Sequence, residues 1–153
     1  MMATILIAAT PSRGHVEPLL AVAAELVCCG HCVTVMTATR HSGAIRAAGA
    51  EPRLLHPVGD LTPAASGYDV LLVDCALLPR LSRTPGRTAV LGQPPGRIAV
   101  PGYAPNPFTA PPEVPVGVDR LILPTVPSFD RARGNPPSAV RFVGLARRLP
   151  ASA

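Results

Sequence analysis

The hydrophobic residues of the first thirty positions follow two different periods. Thr4–Ala9 is an apolar run of small and β-branched residues, which is typical of a buried strand. After the loop 10–15, apolar residues recur at helical spacing, at Val16, Leu19, Leu20, Ala23, Leu26 and Val27. The pattern predicts a strand, a loop and a helix in that order, with Gly14 and His15 on the turn between strand and helix.

The same order repeats after Gly30, which we expect to cap the first helix. A second unit follows, with a strand at Val33–Thr37, a short helix at Gly43–Ala48, Gly49 as its cap and a strand at Glu51–His56. Later strands are predicted at Tyr68–Asp74, Thr88–Leu91, Ile98–Val100, Leu121–Leu123 and Ser138–Gly144.

Alternating strands and helices joined by short loops predict an α/β fold, a Rossmann-like doubly wound parallel sheet with a Pro/Gly-rich irregular second half. The link from Leu55 to Val70 is only about 14 residues long, which is short for a crossover between parallel strands. We therefore expect that one flank of the sheet could be uncovered.

Proline and glycine are unevenly distributed along the chain. The 153 residues suit one domain, and the 20 Pro and 13 Gly are concentrated between residues 85 and 137. We expect a single domain over 1–145 and a tail or linker over 146–153. Because 85–137 has few large apolar residues to offset its ordering entropy, its order is left open.

The net charge of +5 comes from scattered arginines, and the chain has two Tyr, three Phe and no Trp. Neither a basic stripe nor an aromatic stacking surface is visible, so no nucleic-acid partner is expected. No apolar run reaches the roughly 20 residues of a membrane span, and the start lacks the charge of a signal peptide. We expect no membrane span and a cytoplasmic location.

The segment Cys29-Gly-His-Cys32 has the letters of the active-site motif of disulfide isomerases in the thioredoxin family. A reactive thiol of that kind lies at a helix N-terminus, whereas these cysteines close a helix. Cys28, Cys29, His31 and Cys32 are all possible metal ligands, but no second ligand pair follows, and no metal is predicted. We expect the cysteines to be small buried side chains at a helix-to-strand turn.

His15 and Asp74 carry the candidate chemistry. Both follow predicted parallel strands, so both are expected at the carboxyl edge of the sheet, where α/β proteins bind ligands. Two structural alternatives stay open, because His15 could cap its turn through hydrogen bonds and Asp74 could be the N-cap of a following helix. His31, His41 and His56 lack this context and are expected to be exposed or turn histidines.

The segments Arg13–Leu26 and Gly30–Thr37 resemble the opening of the N-terminal, acceptor-binding domain of GT-B-fold glycosyltransferases that use nucleotide sugars. The likeness is to the macrolide and natural-product glycosyltransferases of actinobacteria and to the related UDP-glycosyltransferases. Tyr68–Asp74 is similar to the central strand of that domain and Pro137–Gly144 to its close. The resemblance covers about two thirds of the chain.

In that family the histidine of the Gly-His-x-x-Pro turn is the general base, and an aspartate after the central strand orients it. The resemblance implies that His15 deprotonates an acceptor hydroxyl, that Asp74 holds the imidazole, and that the neighbouring Ser12, Arg13 and Gly14 contact substrate. A hydroxyl that attacks an anomeric carbon must lose its proton, and a histidine fixed by a carboxylate suits that task. The implied reaction is an inverting displacement of a nucleoside diphosphate.

The chain also departs from the family. The family binds its sugar nucleotide mainly in a second domain, and no signature of that domain follows Gly144. Pro57–Gly67 replaces several helices, and the helix after the central strand is reduced to Cys75–Ser82. We therefore expect a shortened acceptor-binding half without the donor domain, with a nucleotide-diphosphate sugar as co-substrate and no cofactor bound by this chain.

The predicted function is the acceptor-binding half of a glycosyltransferase that transfers a hexose to a hydroxyl of a hydrophobic natural product and is inactive alone. Its expected partners are the small-molecule acceptor and a separate donor-binding half. The alternatives are a non-catalytic module that binds a small molecule or a protein, a thiol redox protein based on Cys29 and Cys32, and a nonfunctional remnant. Whether this chain is itself an enzyme stays open.

Overall fold

The computed structural model describes residues 1–83, 87–91, 119–123 and 140–142. The strands in this part of the chain are β1 Thr4–Ala8, β2 Cys32–Thr37, β3 Glu51–Leu54, β4 Val70–Asp74, β5 Arg87–Leu91, β6 Arg120–Leu123 and β7 Val140–Phe142. The helices are α1 Arg13–Cys28, α2 Ser42–Ala47 and α3 Thr62–Ala65, with 3₁₀ turns at Thr39–His41 and Cys75–Arg80.

The described strands form one parallel sheet in the order β3-β2-β1-β4-β5-β6-β7. The chain builds outward from β1 to β3 and then returns to the other side of β1 as β4. Ala8 therefore lies between Met36 of β2 and Val73 of β4. This reversal makes the sheet doubly wound, as predicted, and places the topological switch point between β1 and β4.

The side chains of β1, β2, β4 and β5 alternate between two covered faces of the sheet. Helices α1 and α2 pack on one face, which includes Ile5, Ile7, Val33, Val35 and Leu72. The other face includes Leu6, Ala8, Met36, Leu71, Val73 and Val90. Leu61, Ala65 and Leu77 cover that second face, so a single turn of helix, α3, is enough to make the short crossover. The sheet is covered on the flank that we expected could be open.

A hydrogen-bonded clamp holds that crossover in place. The Asp60 carboxylate accepts the N–H groups of Thr62 (2.9 Å) and Ser82 (3.1 Å) and the hydroxyl of Ser82 (2.6 Å). The N–H of Leu61 donates to the carbonyl of Arg80 at 2.8 Å. The segment before α3 is thus tied to the segment that follows β4, which supplies the order that a longer helix would otherwise give.

Helix α1 begins earlier than its apolar pattern predicts. The carbonyl of Ser12 accepts the N–H groups of His15 and Val16, each at 3.1 Å, so the helix starts at Arg13. Gly14 and His15 therefore lie in the first turn of the helix and not on the loop, which corrects the sequence prediction. The reason is that Arg13, Gly14 and His15 are exposed and none of them is apolar, so the apolar periodicity begins only at Val16.

Gly30 ends α1 in a Schellman motif, as predicted. Its φ is +84°, its N–H donates to the carbonyl of Val27 at 2.9 Å, and the N–H of His31 donates to the carbonyl of Leu26 at 3.1 Å. Gly49, with φ +78°, ends α2 in the same way.

The cysteines at this turn are not buried, which makes the sequence prediction wrong. Cys28, Cys29 and Cys32 are exposed, and Cys75 is the buried cysteine among the described residues. The fully buried positions of α1 end at Ala23, and although Leu26 and Val27 of its last turn still pack partly against the core, Cys28 is exposed. The buried part of β2 begins one residue after Cys32.

The later strand predictions at Thr88–Leu91, Leu121–Leu123 and Ser138–Gly144 correspond to β5, β6 and β7. The predicted strand Ile98–Val100 and the predicted tail 146–153 lie outside the described residues. No helix within the described part of the chain is long and apolar enough to cross a bilayer.

Candidate functional site

The candidate site lies where β1 and β4 end, at the switch point of the sheet. Asp74 is the last residue of β4, and Thr10 follows the end of β1 by two positions. His15 lies in the first turn of α1, the helix that follows β1. In doubly wound sheets this crevice is where ligands bind.

His15 and Asp74 are in direct contact. The imidazole Nδ1 lies 2.7 Å from Oδ2 of Asp74. The Asp74 side chain is 3% exposed, whereas that of His15 is 48% exposed. In a neutral imidazole this contact places the proton on Nδ1, because a carboxylate only accepts, and leaves the Nε2 lone pair free. Nε2 makes no hydrogen bond to any described residue, so in this tautomer the dyad has an unprotonated nitrogen without a protein partner.

The two carboxylate oxygens of Asp74 have different partners. Oδ2 contacts Nδ1 of His15 and accepts hydrogen bonds from the N–H (3.2 Å) and the hydroxyl of Thr10. Oδ1 accepts the N–H of Ala76 (3.1 Å), which makes Asp74 the N-cap of the following 3₁₀ turn. Asp74 therefore caps the 3₁₀ turn through one oxygen and contacts His15 through the other.

These contacts keep Asp74 ionised. Burial alone would raise the pKa of its carboxyl group. The hydrogen bonds from Thr10 and Ala76 and the charge of His15 outweigh burial, and the pKa lies below its usual value. The dyad at neutral pH thus contains a carboxylate anion that can stabilise a positively charged imidazole.

Cys75, beside the dyad, is a neutral thiol. Its Sγ lies 3.6 Å from Oδ1 of Asp74. Burial, with the neighbouring carboxylate charge and this hydrogen bond, raises the pKa of the thiol to about 11. A protonated thiol is a poor nucleophile, so this cysteine adds no thiolate chemistry to the site.

The predicted substrate-contacting residues Ser12, Arg13 and Gly14 form the exposed start of α1. Ser12 contributes its carbonyl to the helix start, and its side chain makes no capping bond. Nε of Arg13 lies 2.5 Å from the Glu17 carboxylate. A Cβ atom built on Gly14 would meet nothing within 4 Å, so there is open space above this turn. Contact with substrate at these positions stays a prediction.

Sequence reasoning missed three residues that shape the site. One is Thr10, described above, and the others are Arg40 and His41, which follow β2. The guanidinium of Arg40 donates to the carbonyl of Pro11, and Nε2 of His41 lies 3.0 Å from the same oxygen. Because parallel strands bring their following loops side by side, the strand order could have suggested this contact. The sequence alone gives neither the order nor the loop geometry.

The other two histidines lie away from the dyad. Nδ1 of His31 accepts the N–H of Ala3 at 3.2 Å, at the opposite edge of the sheet. His56 is exposed, and its carbonyl accepts a hydrogen bond from Arg80 at 2.8 Å. No group of three or more His, Cys, Asp or Glu residues in the described ranges is placed to hold a metal ion.

Together, the parallel strand order and the dyad at the switch point define a Rossmann-like α/β domain with a candidate acid–base site. Solved glycosyltransferases share this fold. CalG4, the calicheamicin glycosyltransferase, matches 95% of this chain and 52% of its own, with a TM-score of 0.65 and 17% identity. LpCGTa, solved in complex with UDP, matches 97% of this chain and 54% of its own, with a TM-score of 0.61 and 15% identity.

A plant protein shows the same likeness in fold. UGT89C1 of Arabidopsis thaliana, solved in complex with UDP-L-rhamnose, matches 98% of this chain and 53% of its own, with a TM-score of 0.54 and 14% identity. Neither a family model nor a curated protein matches the sequence. The chain spans about half the length of the glycosyltransferases it matches, and the fold expected from the resemblance is confirmed.

Proposed function

We propose that this chain is the acceptor-binding half of a nucleotide-sugar-dependent glycosyltransferase, with His15 as the general base. The observation that carries the proposal is the 2.7 Å contact between Nδ1 of His15 and Oδ2 of Asp74, which leaves Nε2 open. Fold likeness to glycosyltransferases adds support but does not by itself assign a reaction.

In the proposed reaction an acceptor hydroxyl approaches Nε2 of His15. As the hydroxyl oxygen forms its bond to the anomeric carbon, its proton passes to Nε2, and the bond from that carbon to the diphosphate oxygen breaks. The imidazole becomes positively charged, and the Asp74 carboxylate stabilises that charge. Attack opposite the leaving group inverts the anomeric centre.

The co-substrate that we propose is a nucleoside-diphosphate sugar, and the acceptor is a hydrophobic natural product. The first choice is supported by the UDP and UDP-L-rhamnose complexes of two similar structures, and the second by the calicheamicin glycosyltransferase. We propose that the acceptor lies over the exposed residues Ser12–Gly14, because a Cβ atom on Gly14, the residue before His15, would meet nothing within 4 Å. The sugar nucleotide is assigned to a donor-binding half, without which we expect no transfer.

A complementation assay tests this proposal. The chain is mixed with the C-terminal half of a glycosyltransferase of this fold, a UDP-sugar and a panel of polyketide and flavonoid acceptors. We expect transfer with the wild-type chain and a loss of about 10²- to 10⁴-fold in His15→Gln, the usual contribution of a general base.

The matched control is His31→Gln. His31 lies at the opposite edge of the sheet, and a glutamine oxygen can still accept the N–H of Ala3. Transfer that survives in His15→Gln would exclude His15 as the base. Absence of transfer with every donor half tried would contradict the enzyme proposal itself.

A non-catalytic binding module is the second candidate, and one surface feature favours it. A groove of about 360 Å³ lies beside β3 and the segment before α3, and its lining includes Leu54 and Val58, which are 52% and 80% exposed. Saturable binding of a hydrophobic ligand that is unaffected by His15→Gln and by UDP-sugar would favour this candidate over the transferase.

A further inference from the structure

Two threonine–aspartate clamps join β1 to β4, one at each end of the strand pair. At the start of β1, the N–H and hydroxyl of Thr4 donate to Oδ2 of Asp69 at 2.8 and 2.7 Å. Beyond the end of β1, the N–H and hydroxyl of Thr10 donate to Oδ2 of Asp74. The same pair of donors thus meets one carboxylate oxygen in both places.

The two clamps differ in one respect. Oδ2 of Asp74 also receives Nδ1 of His15, whereas Asp69 bonds only to Thr4 among the described residues. A clamp that only joined the strands would need no third partner. The Thr4 clamp therefore shows that two donors from one threonine are enough to join the strands. The Thr10 clamp has a third partner, the imidazole of His15.

The geometry at Asp74 explains what the second clamp adds. Ala76 holds Oδ1 at 3.1 Å, and Thr10 holds Oδ2, so the carboxylate is fixed at both oxygens. Without the Thr10 hydroxyl, the Thr10 N–H at 3.2 Å would be the donor that remains to Oδ2 besides His15 among the described residues. The carboxylate could then turn away from the imidazole, because charge-assisted hydrogen bonds to hydroxyl groups are among the stronger contacts that orient it.

We propose that Thr10 is a positioning residue of the dyad: its hydroxyl aims Oδ2 of Asp74 at His15, so that the imidazole carries its proton on Nδ1 and keeps Nε2 free. The catalytic consequence rests on the proposed function, but the placement of the proton does not. In this proposal Thr10 acts through its hydrogen bonds to Asp74 and does not bind the substrate.

The test measures the imidazole tautomer directly, by NMR of the full chain carrying ¹⁵N-labelled histidine at about pH 8.5, which is about two units above the model-peptide pKa of histidine. The chain has four histidines, and the signals of His15 are assigned by their loss in His15→Gln. In the wild type we expect the Nδ1–H form of His15. In Thr10→Val, which keeps the side-chain shape and removes the hydroxyl, we expect the ratio of Nδ1–H to Nε2–H to fall by about threefold or more.

Two variants separate positioning from stability. Thr4→Val removes the same hydroxyl from the same strand pair and is expected to leave the His15 tautomer unchanged. Thr10→Ser restores the hydroxyl and is expected to restore the Nδ1–H form. An unchanged tautomer in Thr10→Val, or an equal change in Thr4→Val, would overturn the proposal.

The complementation assay then distinguishes this inference from the proposed function. If transfer is observed, Thr10→Val should lower kcat by about tenfold while the acceptor KM is kept, since only the base is misaligned. If no transfer is observed but the tautomer responds as stated, the glycosyltransferase proposal fails and the positioning role stands. If transfer occurs and neither the tautomer nor kcat responds, the positioning role fails alone.

Discussion

At the residue scale, the two helix-ending glycines are alike in backbone and different in surroundings. Gly30 and Gly49 have φ values of +84° and +78°, a region that strains any residue with a Cβ atom. A Cβ on Gly30 would meet nothing within 4 Å, whereas one on Gly49 would lie 2.9 Å from Cγ1 of Val27. The missing side chain at Gly49 therefore allows both the turn that ends α2 and the close approach of this turn to Val27 of α1.

This difference predicts unequal costs of substitution. Gly30→Ala should lower the free energy of unfolding by about 1 kcal/mol, the cost of left-handed backbone for alanine. Gly49→Ala should cost about 1 kcal/mol or more in addition, because its methyl group overlaps a packed side chain. Urea unfolding of both variants measures the difference, and equal costs would contradict the predicted overlap.

Val27→Ala provides the control at that contact. In the Val27→Ala background the obstructing methyl group is absent, so Gly49→Ala should cost no more than Gly30→Ala does. Non-additivity between positions 27 and 49 is the expected signature of a direct contact.

At the element scale, the loop between β1 and α1 is positioned by its neighbour. Arg40 and His41, which follow β2, both reach the carbonyl of Pro11, and Thr10 on the same loop is tied to Asp74 after β4. The loop is therefore held from both adjacent strands, on either side of the turn that bears His15.

We expect Arg40→Ala to loosen this loop. Amide exchange at residues 10 to 16 should accelerate by about fivefold or more, the effect of losing roughly 1 kcal/mol of local stability. Arg46→Ala is the control, because Arg46 is an exposed arginine in the last turn of α2. Exchange that is unchanged in Arg40→Ala, or equally raised in Arg46→Ala, would show that the contact with Pro11 does not hold the loop.

At the scale of the whole molecule, several aspartates join parts of the described chain that are distant in sequence. Asp60 ties the crossover to Ser82, Asp69 ties the start of β4 to Thr4, and Asp74 ties its end to Thr10 and His15. Hydrogen bonds from Ser82 and Thr62 lower the pKa of Asp60, and those from Thr4 lower the pKa of Asp69. At Asp74, burial acts in the opposite direction, but hydrogen bonds again leave the pKa lowered.

Stability should therefore be lost in acid. A carboxyl group whose pKa is lower in the folded state contributes stability that is present above its unfolded pKa, near 3.8, and is lost as pH falls through the folded value. Unfolding free energies measured in urea should fall steadily below about pH 4.

Asp69→Asn isolates one of these contributions without touching the dyad. It should reduce the dependence of unfolding free energy on pH below about pH 4, whereas Glu25→Gln, at an exposed carboxylate on α1, should keep the wild-type curve. A variant curve parallel to the wild type would mean that the Thr4 clamp does not couple protonation to folding.

Much of the fold follows from periodicity, and much of the site does not. Apolar runs locate the parallel strands, and their order brings His15 and Asp74 to one edge. Apolar periodicity cannot reveal that α1 begins at the exposed Arg13, or that the cysteines at its other end face solvent, because these positions do not belong to the buried stripe of the helix. Thr10 and Arg40 depend on loop conformation, which short polar segments encode weakly.

One of the two edge strands of the described sheet bears on how copies of this chain meet one another. Among the described strands, β3 lies at one edge of the sheet, and it is a mostly exposed strand of four residues, Glu51-Pro-Arg-Leu54. Charged side chains, a proline without an N–H and short length are the features that discourage a second strand from adding at an open edge. Self-association by strand addition is thus opposed at β3, and the molecule is protected there against fibrous aggregation.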